Sequence, residues 1–93
     1  MWSIYESHTA AKKLDVAPKH VKEKYEFWRS VVQVSGPDGV RKFSGFKDHS
    51  LNGKWLGYRS SRLNAAYRII YRIEKQKVCI YVIDMNHHDY KRK

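Results

Sequence analysis

The chain has 93 residues, 42% of them hydrophobic and 14% aromatic, which is enough apolar material for one packed core and too little length for two. It is therefore expected to form a single domain over residues 1–93, and intrinsic disorder and a two-domain enzyme are excluded. Nineteen Lys and Arg against nine Asp and Glu leave a net charge of +10, a field that favours a polyanion such as nucleic acid and that an acidic protein partner also satisfies.

The lone cysteine, Cys79, excludes an internal disulfide framework and cannot by itself form a thiolate metal site. No apolar run approaches membrane-spanning length, and the opening residues lack the basic and apolar segments of a signal peptide, so a cytoplasmic protein without membrane contact is expected.

In chain order, Trp2 to Glu6 alternates as a short strand, and Thr9 to Leu14 suits a short helix. Pro18 fits the start of a longer helix, in which Val21, Tyr25, Trp28 and Val32 share one face at spacings of four, three and four. The opposite face carries Lys19, Lys22, Glu23, Glu26 and Arg29. Ser35-Gly36-Pro37-Asp38-Gly39 predicts a turn, and the chain from there to Gly57 reads as a basic connector. Leu56 to Leu63, Tyr67 to Glu74 and Lys77 to Met85 are rich in aromatic and β-branched residues and predict an antiparallel meander. Lys91-Arg92-Lys93 closes the chain as a basic tail.

A three-residue turn at Asn64, Ala65 and Ala66 sets Arg62 opposite Arg68, Ser60 opposite Ile70 and Tyr58 opposite Arg72. The other face then holds Leu63, Tyr67, Ile69, Tyr71 and Ile73, a floor for the long helix, whereas a two-residue turn would mix the faces. The chosen register gathers Arg62, Arg68 and Arg72 on an accessible face, with Cys79 and Ile83 expected beside them.

Lys47-Asp48-His49-Ser50-Leu51-Asn52-Gly53-Lys54-Trp55 concentrates ammonium groups and an imidazole where a loop can present them. His49 alone also fits a solvated connector, and the arginines alone also fit an ordinary polar face relieved by Glu74 or Asp84. His87-His88-Asp89-Tyr90 adds proton-transfer groups, but no metal-ligand spacing completes a site and no nucleophile elbow supports a hydrolase triad. The combination suits RNA backbone cleavage: arginine forks hold phosphate oxygens and imidazole moves protons near neutrality. Passive RNA-binding surfaces use the same residue types.

The Lys47–Trp55 stretch, then Gly57-Tyr58-Arg59-Ser60-Ser61-Arg62-Leu63, then Tyr67-Arg68-Ile69-Ile70-Tyr71, resembles the HxLxGxW, arginine-strand and YRIIY-type pattern of RelE/ParE-superfamily toxins. The resemblance is nearest to the HigB, YoeB and YafQ branches and runs through about half the chain, from Phe46 to Tyr90; the helical first half agrees in order and length.

That resemblance implies an α+β fold of the RelE-like, microbial-ribonuclease type, with an N-terminal strand and helices followed by an antiparallel β-meander. It implies the toxin of a type II toxin–antitoxin system, neutralised by a cognate antitoxin. The implied activity is that of a ribosome-associated mRNA endoribonuclease, an mRNA interferase, which attacks the phosphate with the neighbouring 2′-hydroxyl and uses no metal or other cofactor. By position, His49, Arg68, His88 and Tyr90 match catalytic residues, with either histidine able to serve as base or acid. Lys47 and Lys54 lie where members place basic residues, and with Arg62 and Arg72 they make up the expected RNA-binding set. Gly45 stands near the position of the YoeB-like glutamate, so no carboxylate base is implied. A ParE-like gyrase inhibitor and a non-catalytic RNA-binding module are the alternatives, and the joint occurrence of His49, Arg68, His88 and Tyr90 favours the enzyme.

Overall fold

The computed structural model describes residues 2–85, with side chains described through residue 80. The elements are β1 (Ser3–Glu6), α1 (His8–Asp15), α2 (Lys19–Ser35), α3 (Pro37–Arg41), β2 (His49–Ser50), β3 (Arg59–Arg62), β4 (Tyr67–Glu74) and β5 (Lys77–Met85). They form one five-stranded sheet in the order β1-β5-β4-β3-β2, antiparallel except where β1 runs parallel to β5. The expected α+β fold, with a strand and helices ahead of an antiparallel meander, is the one observed.

Local chemistry accounts for the helices. Ser7 caps α1, its hydroxyl accepting from the Ala10 N–H at 3.0 Å. Pro18 precedes α2, and Val21, Tyr25, Trp28 and Val32 are all buried along its inner face. Against them lie Leu63, Ile69 and Tyr71, with Tyr67 and Ile73 packed at the edge, as the three-residue turn requires. Arg62 pairs with Arg68 and Ser60 with Ile70. Asn64 builds that turn: its Oδ1 accepts from the Ala66 and Tyr67 N–H groups at 2.8 and 2.7 Å.

Three expectations are corrected. The segment at Gly36 to Gly39 is a helix junction rather than a simple turn: Gly36 ends α2 at φ 73° and Pro37 opens α3 in the first helical position. A Cβ on Gly36 would lie 2.5 Å from the Trp2 indole, so the junction needs glycine for space as well as for conformation. The basic connector contains a strand, because Gly53 and Gly57, at φ 65° and 94°, help turn the chain back and the Leu51 N–H reaches the Tyr58 carbonyl at 2.9 Å. His49 and Ser50 thereby pair with Ser60 and Arg59 as edge strand β2. Finally, a register shift places Ile70 opposite Val82 but Tyr71 opposite Ile80, a β-bulge that leaves Tyr81 unopposed. Cys79 pairs with Arg72 as expected, whereas the bulge puts Ile83 opposite the core residue Ile69 instead of in the arginine row.

Candidate active site

Side chains alternate across a sheet, so one register decides what can act together. Ser60 pairs with His49 on one side and Ile70 on the other, and Arg62 pairs with Arg68, which puts His49, Ser60, Arg62, Arg68, Ile70 and Arg72 on the sheet face away from the helices. The centre of that face is not open as expected: Ser60 and Ile70 are only 2% and 1% exposed.

At one end of this face Lys47, His49, Ser60, Arg62 and Arg68 line a cleft of about 70 Å³. Four of the residues expected from sequence therefore converge, and no carboxylate lies among the described lining residues. A phosphate entering would meet three cationic side chains and an imidazole in a recess partly screened from water. Lys54 and Arg72 do not line it. Lys54 sits in the 3₁₀ turn Gly53–Trp55, and Arg72 stands four residues along β4 from Arg68, a separation of about 13 Å on an extended strand. Arg72 is ion-paired with Glu74 and lies over the Tyr58 ring at 5.7 Å from its centroid. His88 and Tyr90 fall outside the described residues.

The tautomer of His49 follows from one contact. Its Nδ1 lies 2.8 Å from the Lys47 carbonyl oxygen, which can only accept, so the neutral ring carries its proton on Nδ1 and leaves Nε2 to exchange protons. Lys47 makes this possible in the left-handed region at φ 47°, a conformation that costs a non-glycine residue about 1–2 kcal/mol.

Beneath the cleft is a polar network that the sequence reading missed. The Asp48 side chain is fully buried. Its Oδ1 accepts from Arg59 Nε at 2.7 Å and is ion-paired with Nη2 at 2.6 Å, and its Oδ2 accepts from the Ser61 and Tyr71 hydroxyls, both at 2.5 Å. Ser61 Oγ in turn accepts from Trp28 Nε1 at 3.0 Å, and the Trp28 ring meets Tyr71 edge-on at 5.4 Å. Burial, followed by the charge and hydrogen bond of Asp48, raises the Tyr71 hydroxyl well above the ordinary tyrosine range. Burial opposes the Arg59 charge, yet the Asp48 hydrogen bond and charge outweigh it and leave the guanidinium more basic than usual. Asp48 is the only acidic residue between Val40 and Gly57, and that isolation in a basic stretch was the available signal.

The sequence matches no protein-family model and no curated protein. Solved structures do match. YafQ from E. coli strain BL21(DE3) superposes with a TM-score of 0.74 at 18% identity, over 91% of this chain and 93% of that one. The chain has the fold of the YafQ and YoeB toxins. A chain of the YoeB–YefM complex from Staphylococcus aureus gives 0.74 at 18% identity, over 94% of this chain and 99% of that one. A chain of the E. coli DinJ–YafQ toxin–antitoxin complex gives 0.68 at 19%, over 96% and 94%. The alignment with this fold runs through both halves of the chain, well beyond the Phe46-to-Tyr90 stretch that carries the sequence pattern.

Proposed function

We propose that this chain is the toxin of a type II toxin–antitoxin pair and that it cleaves mRNA on the ribosome. The observation that carries the proposal is the convergence of Lys47, His49, Arg62 and Arg68 on one cleft. They come from the loop before β2, from β2 itself, and from β3 and β4. The YoeB–YefM and DinJ–YafQ complexes, toxin–antitoxin assemblies on the same fold, support the partner half of the reading.

In the proposed reaction a ribose 2′-oxygen bonds to the adjacent phosphorus and the bond from phosphorus to the 5′-oxygen breaks. The products are a 2′,3′-cyclic phosphate and a 5′-hydroxyl. Arg68 and Arg62 neutralise the phosphorane oxygens, whose charge grows toward the transition state, and Lys47 holds a neighbouring phosphate. His49 Nε2 moves one of the two protons; His88 moves the other, and Tyr90 orients the substrate. Every step is served by side chains of the chain itself, so the proposal assigns no metal and no cofactor.

The cognate antitoxin, in this reading, covers the wider basic surface around the cleft and thereby excludes RNA from it. The test is expression in bacteria: the wild type should arrest growth and cut cellular mRNA, co-expression of the antitoxin encoded beside it should relieve both, and His49→Gln should do neither while still binding the antitoxin. Growth arrest with intact mRNA and relaxed DNA would favour the gyrase-inhibitor alternative.

A further inference from the structure

Asp48 separates the two residues whose relative position matters most at the cleft, Lys47 and His49. Its carboxylate is fixed from two strands and, through Ser61, from the core: Arg59 and Ser61 reach it from β3, Tyr71 from β4, and Trp28 of α2 holds Ser61 from behind. A side chain clamped by three hydrogen bonds and an ion pair fixes the backbone that bears it, and with it the peptide units on either side. One of those units supplies the Lys47 carbonyl that bonds His49 Nδ1.

We propose that Asp48 is a positioning residue: clamped by Tyr71, Ser61 and Arg59, it holds the Lys47–His49 turn so that the Lys47 carbonyl keeps the His49 proton on Nδ1 and leaves Nε2 as the working nitrogen. The use of Nε2 in RNA cleavage rests on the nuclease reading above; the tautomer does not. The proposal also gives a reason for tyrosine at position 71. A phenylalanine there could keep the T-shaped ring contact with Trp28, but it would remove one of the two hydroxyl donors to Asp48 Oδ2. The Tyr71 hydrogen bond ties the Lys47–Trp55 stretch to β4, the strand that carries Arg68.

The test reads the His49 ring directly. In ¹⁵N-labelled protein near pH 8, long-range proton–nitrogen correlations identify which ring nitrogen carries the proton, and His49→Gln assigns the His49 signals. The wild type should show Nδ1 protonated and Nε2 bare. In Tyr71→Phe and in the Ser61→Ala/Tyr71→Phe pair, both checked for folding by circular dichroism, the proton should move toward Nε2, the ordinary tautomer of a neutral histidine. Asp48→Asn should shift it further; if that variant does not fold, the two hydroxyl variants decide the matter alone. A displaced reacting group of about 1 Å costs about 10²-fold in rate, so kcat for RNA cleavage should fall about tenfold or more in Tyr71→Phe with KM nearly unchanged. Folded variants that keep the proton on Nδ1 overturn the proposal, as does a tautomer shift with kcat intact. A tautomer shift in a protein whose wild type cuts no RNA leaves the clamp standing and removes the nuclease reading instead.

Discussion

Arg62 stands directly opposite Arg68 across the β3–β4 ladder, and both side chains line the cleft. Like charges placed opposite each other on a sheet destabilise the folded state by up to about 1 kcal/mol, a cost that an acidic register partner such as Asp84, opposite Arg68 on β5, or a bound anion offsets. Arg62→Gln is therefore expected to leave stability unchanged or raise it by up to about 1 kcal/mol in urea unfolding. The same variant should weaken RNA binding and reduce the slope of log affinity against log salt by about one contact. A loss of stability together with unchanged affinity would show that Arg62 serves the fold and not the ligand.

Trp28 joins core to site, being fully buried while its Nε1 donates to Ser61 beneath the cleft. Trp28→Ala should cost about 3–5 kcal/mol, a large fraction of what a domain of this size holds. Trp28→Phe keeps most of the apolar volume and loses the hydrogen bond, so its cost should be smaller. Urea midpoints with unchanged slopes measure both, and equal costs would mean that the Ser61 contact, rather than the packing, dominates.

Stability should decline under alkaline conditions for a stated reason. Burial, then the Glu6 hydrogen bond, raises Tyr25, and burial with the Asp48 carboxylate raises Tyr71. An unfolded tyrosine loses its proton near about pH 10, whereas these two hold theirs to higher pH when folded. Above about pH 10 the folded state thus binds more protons than the unfolded one, and stability falls as pH rises through the folded values; below that range the contribution is fully present. Tyr71→Phe and Tyr25→Phe should each flatten the fall between about pH 9.5 and 11, although each starts from a lower plateau. An unaltered slope in both variants would contradict the assignment.

The parts of the fold that were legible in sequence are those where periodicity meets burial. Val21, Tyr25, Trp28 and Val32 could face inward together only on a helix, and only one register of Arg62 and Arg68 left Ile69 and Tyr71 on the core side. From that register came most of the cleft. Features that depend on one or two residues were not legible: a two-residue strand at His49 has no periodicity to detect, and the bulge opposite Ile70 and Tyr71 shifts the register without altering the local pattern. Asp48 escaped for another reason: its isolation in a basic stretch marks it out but does not show the partners, Arg59, Ser61 and Tyr71, that the fold brings around it. Arg72 shared the expected face but was drawn to Glu74 and Tyr58, partners that alternation alone cannot rank.

Removal of a positioned acid, base or phosphorane-binding group typically lowers rate by about 10² to 10⁴-fold, whereas loss of a peripheral charge mainly weakens binding. Arg68→Ala, His49→Gln and His88→Ala should accordingly stay folded, bind the antitoxin and lose cleavage by such factors. Lys54→Ala, outside the cleft, should lose far less. Equal losses in Lys54→Ala and Arg68→Ala would mean that general charge, rather than the cleft, governs activity.

The central claim is tested most directly by adding the purified protein to a translating extract, mapping the new mRNA ends by primer extension and analysing the 3′ ends chemically. The account predicts discrete cuts bearing 2′,3′-cyclic phosphates that form in the presence of chelator and vanish with Arg68→Ala. Intact mRNA under these conditions, with purified gyrase inhibited equally by the wild type and by Arg68→Ala, would contradict it.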